Sequence, residues 1–253
     1  MKMSLELRAL DQSVHSRSVG DRILSRVDTL KGDTQLKPHP KNKIENLDWD
    51  NLEVGRLIGK GSFSSVYTVS LKDGQHFNDR VYALKSLRPQ QDFSSEKFIT
   101  GAVDLILEAI VLSSLHHPNI IRLYAVRKDY GIDSHAYKEG YFLVLDLLTC
   151  TLESRLDLWR DQRCFPFQNM ASSKDMISRI DKVGLGIARG MQHLHSLNII
   201  FRDLKPHNIG FDENGIVRIF DFGLAREYHP NFSSENTRNE GKRHMTGNCG
   251  TPR

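Results

Sequence analysis

The apolar pattern of this chain changes from short strand-like runs to long helical periods near its middle, and this order limits the possible folds. The β-rich runs begin at Leu52 and are "EVGRLIGKG", "SSVYTVSLK", "RVYALKSL", "IIRLYAVRK" and "YFLVLDLL". Asp73-Gly74 predicts a tight turn before the third run. A helical stretch, "AVDLILEAIVLSSL", is closed by Pro118, which cannot continue a helix. The first part of the chain therefore predicts three antiparallel strands, one helix and two further strands.

The second part of the chain is mainly helical. A short helix fits "LESRLDLWR", and a longer one places six apolar residues on one face: Ile177, Ile180, Val183, Ile187, Met191 and Leu194. Ser172 and Asp175 resemble a capping box at its start. Two short strands, "NIGFD" and "IVRIFD", frame the turn "ENG". Strands followed by helices, without an internal repeat, indicate the α+β class.

Residues 1–46 differ from the rest of the chain, because they are polar and charge-balanced and end in a linker-like "KPHPKNK". Within this extension Ile23, Val27 and Leu30 recur at helical spacing after Asp21, a possible N-cap. The pattern predicts a short, fraying helix in a disordered extension. The alternative is a helix that docks on a partner.

Composition excludes several classes of protein. The 253 residues are 39% hydrophobic and 26% charged, which suits one large domain or two lobes with a core. Lysine and arginine are spread along the chain, so the net charge of +4 does not indicate a nucleic-acid partner. Three scattered cysteines, Cys150, Cys164 and Cys249, lack the spacing of a metal site and indicate a reducing compartment and no disulfide framework. The longest apolar run is too short to span a bilayer, and we expect a soluble intracellular protein.

Two candidate binding motifs lie in the strand-rich part. Gly59 and Gly61 in "IGKGSFSSV" would let the backbone approach a ligand closely, although such a pair alone more often indicates a hairpin turn. Lys85 ends an apolar strand, where most lysines extend into solvent. Glu108 lies in an apolar helical segment, and pairing with Lys85 would explain a carboxylate there.

Two further motifs lie in the helical part. In the loop "FRDLKPHN", Asp203 could orient an attacking hydroxyl, Lys205 could offset negative charge and Asn208 could bind a cation. In "FDFGLA", Asp221 ends a strand and suits magnesium, which prefers oxygen ligands. Taken singly, each aspartate could instead cap a turn.

In this order and at these spacings, the motifs resemble those of a eukaryotic protein kinase catalytic domain of the serine/threonine type. The phrases "HHPNIIRLY", "IARGMQHLHSLNII" and "GTPR" are similar to the family's as well, and the resemblance covers about residues 52–253. It implies a bilobal α+β fold over residues 47–253, with a five-stranded antiparallel small lobe over about 47–145. A partial, mainly helical large lobe would occupy about 149–253, because the chain ends before the A-P-E motif.

The resemblance also implies roles for individual residues, with ATP and Mg²⁺ as cofactors. The loop from Gly59 to Ser64 would cover the ATP phosphates, Lys85 would contact two of them and Glu108 would pair with Lys85. The other nucleotide-contacting positions would be Ile58, Gly61, Val66, Ala83 and, in the hinge Leu145–Leu147, Leu147. Asp203 would be the catalytic base or hydroxyl orienter, with Lys205 beside the γ-phosphate, and Asn208 and Asp221 would hold magnesium.

Substrates and regulation follow from the same resemblance. Lys205, two residues after Asp203, and Thr251 after Gly250 are typical of kinases acting on serine and threonine of proteins. Arg202 resembles the arginine that meets a phosphate in kinases switched on by an upstream kinase. The candidate acceptors are Ser233, Ser234, Thr237 and Thr246, with Thr246 favoured. We expect no nucleic-acid partner, no membrane span and a location in the cytoplasm, with access to the nucleus left open.

Three substitutions depart from the family pattern. Phe201 replaces the usual histidine, and we expect it to keep the packing against Phe222. Ser64 replaces a third glycine, which should be tolerated, whereas Gly210 replaces a bulky adenine-floor residue and predicts weaker nucleotide binding. The helix face of Ile187, Met191 and Leu194 is expected to be partly exposed.

Two alternatives to a protein kinase remain. The departures favour a nucleotide-binding pseudokinase or inactive fragment that acts as a scaffold. A phosphotransferase for small molecules is the second alternative. Retention of Lys85, Glu108, Asp203, Asn208 and Asp221 argues for the enzyme, because a scaffold does not need all five.

Overall fold

The computed structural model describes residues 19–32, 34–72, 80–89, 92, 94–128, 140–164 and 173–228. The chain forms two compact units. The first, unit 1, contains Met1–His116 and Arg122–Leu147, and the second, unit 2, contains His117–Ile121 and Leu148–Arg253. The predicted turn at Asp73-Gly74 and the predicted capping box at Ser172 and Asp175 lie outside the residues or side chains described.

Unit 1 is built on a six-stranded sheet. Its strands are β1 (Glu45–Leu47), β2 (Leu52–Lys60), β3 (Ser64–Leu71), β4 (Tyr82–Leu87), β5 (Leu123–Arg127) and β6 (Phe142–Leu145). The order across the sheet is β1-β5-β6-β4-β3-β2. Strands β2 to β6 pair antiparallel, which confirms the five predicted antiparallel strands.

The sixth strand, β1, was not predicted, and it pairs parallel with β5. Only three residues long and set in a polar segment, it is too short for an alternating pattern to be recognised. Its Leu47 nevertheless joins the core beneath the sheet, where Leu84, Phe142 and Val144 have no exposed surface.

Two helices belong to unit 1. Helix α1 covers residues 19–32, and α2 is Ser95–Ser114. Helix α1 includes Val19 and Gly20, so Asp21 lies inside it and the predicted N-cap is wrong. Ile23 and Val27 of α1 are buried, as expected for the apolar face of a packed helix rather than a disordered segment.

Helix α2 begins seven residues before the predicted apolar stretch. Its first turns contain polar residues that hide the pattern, yet Phe98 and Ile99 are buried. The end was predicted correctly, because the helix stops at Ser114, shortly before Pro118.

Unit 2 contains two helices and two small sheets. The helices are α3 (Leu152–Cys164) and α4 (Ser173–Ser196), and the strands are β7 (Cys150–Thr151), β8 (Ile199–Ile200), β9 (Ile209–Phe211), β10 (Val217–Ile219) and β11 (Arg226–Glu227). One sheet has the order β10-β9-β7, and β11 pairs with β8 in the other. Gly215, with φ +74°, supplies the predicted turn between β9 and β10.

The buried face of α4 differs from the expected one. A Cβ atom at Gly190 would lie 2.7 Å from Cδ1 of Ile219, so the helix packs closely against β10 along its glycine-containing face. Leu194 is fully buried by this packing, whereas Ile187 and Met191 are half-buried. The expected partial exposure is therefore found at Ile187 and Met191 but not at Leu194. Among the side chains of α4 that the structure describes, the large apolar ones that are exposed are Ile177 and Leu185.

Candidate functional site

The two predicted glycines lie in the hairpin that joins β2 and β3. Gly59 is opposite Val66 in the strand register, and the N–H of Gly61 donates a 2.8 Å hydrogen bond to the carbonyl of Ser64. Ser64 begins β3 and is absent from the described residues with positive φ. A serine is therefore accommodated where the family pattern has glycine, because the backbone does not require a left-handed conformation.

Strand register places three of the predicted nucleotide-contacting residues of the sheet on one face. Val66 is opposite Lys85, and Ala83 precedes Lys85 by two residues. Residues two apart on a strand point to the same side, so all three side chains share that face. Ile58, in the preceding strand, is 42% exposed.

Lys85 and Glu108 form an ion pair within unit 1. Nζ of Lys85 lies 2.6 Å from Oε2 of Glu108. The Glu108 side chain is 2% exposed and that of Lys85 is 15% exposed. Charged groups this deeply buried are stable only when paired, which explains a glutamate in the apolar surface of α2.

Asp146, between the predicted hinge residues Leu145 and Leu147, was not singled out from the sequence. Its buried carboxylate accepts hydrogen bonds from the Arg122 N–H (3.0 Å) and the Tyr124 hydroxyl (2.9 Å). Burial and the adjacent carboxylate raise the pKa of Tyr124 to about 12, so this hydroxyl stays a donor. The segment after β6, including half-buried Leu147, is thereby tied to β5. The sequence feature that could have identified Asp146 is the presence of an aspartate inside the apolar run "YFLVLDLL".

In unit 2, three predicted residues meet in one loop. Nδ2 of Asn208 donates to Oδ2 of Asp203 at 2.8 Å and to the carbonyl of Asp203 at 2.9 Å. Nζ of Lys205 lies 2.9 Å from the same Oδ2. The short 3₁₀ helix Pro206–Asn208 shapes this loop, because proline fixes the first helical φ. The loop thus presents a carboxylate held by an amide and an ammonium group.

Asp221 lies on a segment bonded to the same loop. The N–H of Phe220, just before Asp221, donates to the carbonyl of Asn208 at 3.0 Å. Asp221 is exposed and has a φ of 67°, an uncommon conformation for a residue with a side chain. Such strained positions are frequent at functional sites.

The donor set of Asn208 and Asp221 fits magnesium. The amide nitrogen of Asn208 is used toward Asp203, which leaves its oxygen as the atom suited to a cation, and Asp221 provides a carboxylate. Magnesium takes oxygen ligands and retains several waters, so two protein ligands are sufficient. Over the described ranges, no group of three His, Cys, Asp or Glu side chains is arranged to hold a metal.

Phe201 packs beneath the loop as expected. Its ring and that of Phe222 meet edge to face, with centroids 5.0 Å apart, and both side chains are almost completely buried. The packing contact predicted for this substitution is confirmed. Arg202 has a φ of 67°, and its Nε donates to the carbonyl of Leu224 at 2.6 Å, which ties the loop to the segment after Phe222.

Gly210 is buried beside Leu148. A Cβ atom at Gly210 would lie 2.5 Å from Cδ1 of Leu148 and 3.3 Å from the ring of Phe220. These two side chains already occupy the space that a larger residue would need. The expected effect on nucleotide binding stays a prediction.

Several predicted residues lie outside the described part of the chain. They are Ser233, Ser234, Thr237, Thr246, Gly250 and Thr251. Among the helices that are described, none combines the length and apolar character that crossing a membrane requires.

Comparison with known proteins finds similarity to ribosomal protein S6 kinases. The chain is 29% identical over 209 residues to ribosomal protein S6 kinase 2 alpha of Xenopus laevis, covering 82% of this chain and 25% of that protein. It is 30% identical over 190 residues to ribosomal protein S6 kinase alpha-1 of Homo sapiens, covering 75% and 22%. The chain therefore spans about a quarter of the length of these relatives.

The model of the protein kinase domain family matches residues 52–253, which is most of the chain. The matched region includes the sheet of unit 1 from β2 onward and the loops of unit 2 that carry Asp203 and Asp221. The α+β architecture of the described residues agrees with this match. The chain belongs to the protein kinase family.

Proposed function

We propose that this chain transfers the γ-phosphoryl group of ATP to serine or threonine hydroxyls of protein substrates. The observation that carries the proposal is the cluster of Asp203, Lys205 and Asn208, in which one carboxylate oxygen has an ammonium group and an amide within 2.9 Å. The chain belongs to the protein kinase family, and phosphoryl transfer is the reaction in which this cluster would take part.

In this proposal Asp203 orients the substrate hydroxyl and accepts its proton. The hydroxyl oxygen forms a bond to the γ-phosphorus, the bond from that phosphorus to the bridging oxygen breaks, and ADP leaves. The hydrogen bonds from Asn208 fix the carboxylate, since a catalytic group must be held in a narrow range of positions. The ammonium group of Lys205 offsets negative charge on the transferred group.

The groups of unit 1 would bind the nucleotide. Lys85, held by Glu108, would hold phosphate oxygens, and the β2–β3 hairpin with Gly59 and Gly61 would donate backbone N–H groups to them. Val66, Ala83, Ile58 and Leu147 would contact the base. Asn208 and Asp221 would hold Mg²⁺, which neutralises phosphate charge when bound.

The preference for serine and threonine rests on Lys205, two residues after Asp203, together with the relatives named as ribosomal protein S6 kinases. The proposal extends to an upstream activating kinase acting on Thr246, because Arg202 stands beside Asp203 as in kinases switched on by phosphorylation. The odd, scattered cysteines favour a reducing compartment, and we place the protein in the cytoplasm.

The proposal is tested by incubating the chain with Mg-ATP and a basic protein that contains serine, threonine and tyrosine. We expect phosphoserine and phosphothreonine in the protein and one ADP for each phosphate transferred. Phosphotyrosine alone would contradict the predicted specificity. ATP binding without any phosphate transfer would instead indicate a nucleotide-binding scaffold. Transfer only to small hydroxyl compounds would indicate a phosphotransferase for small molecules.

A further inference from the structure

Helix α2, which carries Glu108, is enclosed on nearly all sides. Across residues 98–115, which are all described, Thr100 alone is exposed. Strands β4 and β5 contact α2 from the sheet and cover one side. Because a helix buried around its whole circumference needs partners on more than one side, a second element must cover the side away from the sheet.

One element that contacts α2 besides the sheet is the segment before the sheet, residues 19–32 and 34–44, which we call the strap. At the start of α2, Glu96 forms ion pairs with two arginines of α1. Nη2 of Arg22 contacts Oε1 of Glu96, and Nη2 of Arg26 lies 3.2 Å from Oε2. The two arginines are one helical turn apart, so both reach the same carboxylate.

The strap also caps the other end of α2. Nδ2 of Asn42 donates to the carbonyls of Ser113 and Leu115, both at 2.9 Å, and the N–H of His39 donates to Ser113 at 2.9 Å. The rings of His39 and His116 stack with centroids 5.1 Å apart. The last carbonyls of a helix have no partner within it, so these bonds stabilise the helix end.

Between these two ends the strap contributes an apolar face. Val19, Ile23 and Val27 of α1 are 4%, 4% and 0% exposed, whereas Ser25 on the same helix is exposed. A helix of the length of α2 extends about 30 Å. The contacts at Glu96 and at Ser113 show that the strap engages α2 near both termini.

We propose that the strap holds α2 in the position that pairs Glu108 with Lys85, and that its docking therefore sets the affinity for Mg-ATP. The ion pair is formed at 2.6 Å while the strap is docked, so the docked strap favours the paired arrangement and does not inhibit it. This inference rests on the proposed function. The strap residues that contact α2 or belong to the buried face of α1 are positioning residues, since they act through α2 and Glu108.

The test uses the full chain and measures the dissociation constant for Mg-ATP. Val27→Asp places a carboxylate on the buried face of α1, and we expect ATP affinity to fall about tenfold. The matched control is Ser25→Asp on the exposed face of α1, which should change the affinity by less than about twofold. In a chain carrying Glu108→Gln, Val27→Asp should have no further effect, because the strap acts through that pair.

Equal ATP affinities for Val27→Asp and the unsubstituted chain would overturn the inference, and so would an effect of equal size with Glu108→Gln present. If Val27→Asp does not fold, the pair Arg22→Glu with Arg26→Glu replaces it. We then expect affinity about fivefold weaker, restored by adding Glu96→Arg, whereas failure of that restoration would overturn the inference. Failure of phosphate transfer by the unsubstituted chain would contradict the proposed function instead, because ATP binding is measured separately.

Discussion

At the scale of single residues, the buried ion pair of Lys85 and Glu108 allows a direct prediction of the effect of substitutions on the free energy of unfolding. Burial removes the Glu108 carboxylate almost completely from water, and the ammonium group of Lys85 compensates its charge. The sequence predicted this pair from the apolar neighbours of Glu108. It did not predict Asp146, whose partners Arg122 and Tyr124 lie more than 20 residues earlier in the chain. Local patterns carry no information about such distant partners.

Removal of Lys85 alone should lower the free energy of unfolding more than removal of both Lys85 and Glu108. Lys85→Met leaves the Glu108 carboxylate buried without its ammonium group, and we expect a loss of about 3–5 kcal/mol in the free energy of unfolding. Lys85→Met combined with Glu108→Leu should recover most of it, because apolar side chains suit this position. Urea unfolding of both variants measures the difference. A double variant as unstable as the single one would contradict this interpretation.

His117 should make stability depend on pH. Burial, followed by the charges of His193, Arg218 and Arg189, lowers the pKa of His117 below its ordinary value near 6.5. The unfolded chain therefore takes up this proton first as the pH falls. The resulting stability is complete above pH 6.5 and is lost as the pH falls through the lower pKa of the folded state.

Unfolding midpoints between about pH 7.5 and 5 would measure this dependence. We expect His117→Gln to flatten the acid side of the curve. His195→Gln, at an exposed histidine of α4, is the matched substitution for comparison. An identical curve for His117→Gln and the unsubstituted chain would exclude this histidine as the cause.

At the scale of elements, the β2–β3 hairpin contacts helix α2 through Phe63. A Cβ atom at Gly101 of α2 would lie 2.6 Å from Cβ of Phe63, at the turn of the hairpin. The carbonyl of Phe63 also accepts the N–H of Arg88 at 2.9 Å. The position of the proposed phosphate-binding loop is therefore linked to the position of the helix that carries Glu108.

Gly101→Ala should move this hairpin. The added methyl group collides with a backbone-near atom of Phe63, so we expect a loss of about 1–3 kcal/mol in stability and weaker ATP binding. Gly184→Ala in α4 is the matched control, because nothing lies within 4 Å of the added atom there. That control should gain up to about 1 kcal/mol from helix propensity. Calorimetry measures the stability of both variants. A Gly101→Ala variant as stable as the unsubstituted chain would contradict this prediction.

Element type was predictable where local periodicity is strong, as in strands β2 to β6 and helix α4. The docking of α1 on α2 was not predictable. Arg22 and Glu96 are 74 positions apart, and the apolar face of α1 contains only a few residues in a polar segment. Local periodicity identified the helix but could not identify what it packs against. The buried side of α4 was also missed, because Gly186 and Gly190 add nothing to an apolar count yet allow the closest approach.

At the scale of the whole molecule, the two units carry different parts of the proposed chemistry. Unit 1 holds the glycine hairpin, Lys85 and Glu108, and unit 2 holds the loop of Asp203 and the segment of Asp221. The proposed reaction requires both units. Variants in either unit should therefore reduce phosphate transfer, but those at Lys85 should reduce ATP affinity and those at Asp203 should not.

The role of Asp203 in phosphoryl transfer is tested most directly by the transfer rate of Asp203→Asn, with Mg-ATP binding measured on the same preparation. Asparagine preserves the size of the side chain and its carbonyl oxygen, so the loop should keep its hydrogen bond to Asn208. We expect ATP affinity to be unchanged within about twofold and the transfer rate to fall at least about a hundredfold. Transfer by Asp203→Asn at the rate of the unsubstituted chain would contradict the account.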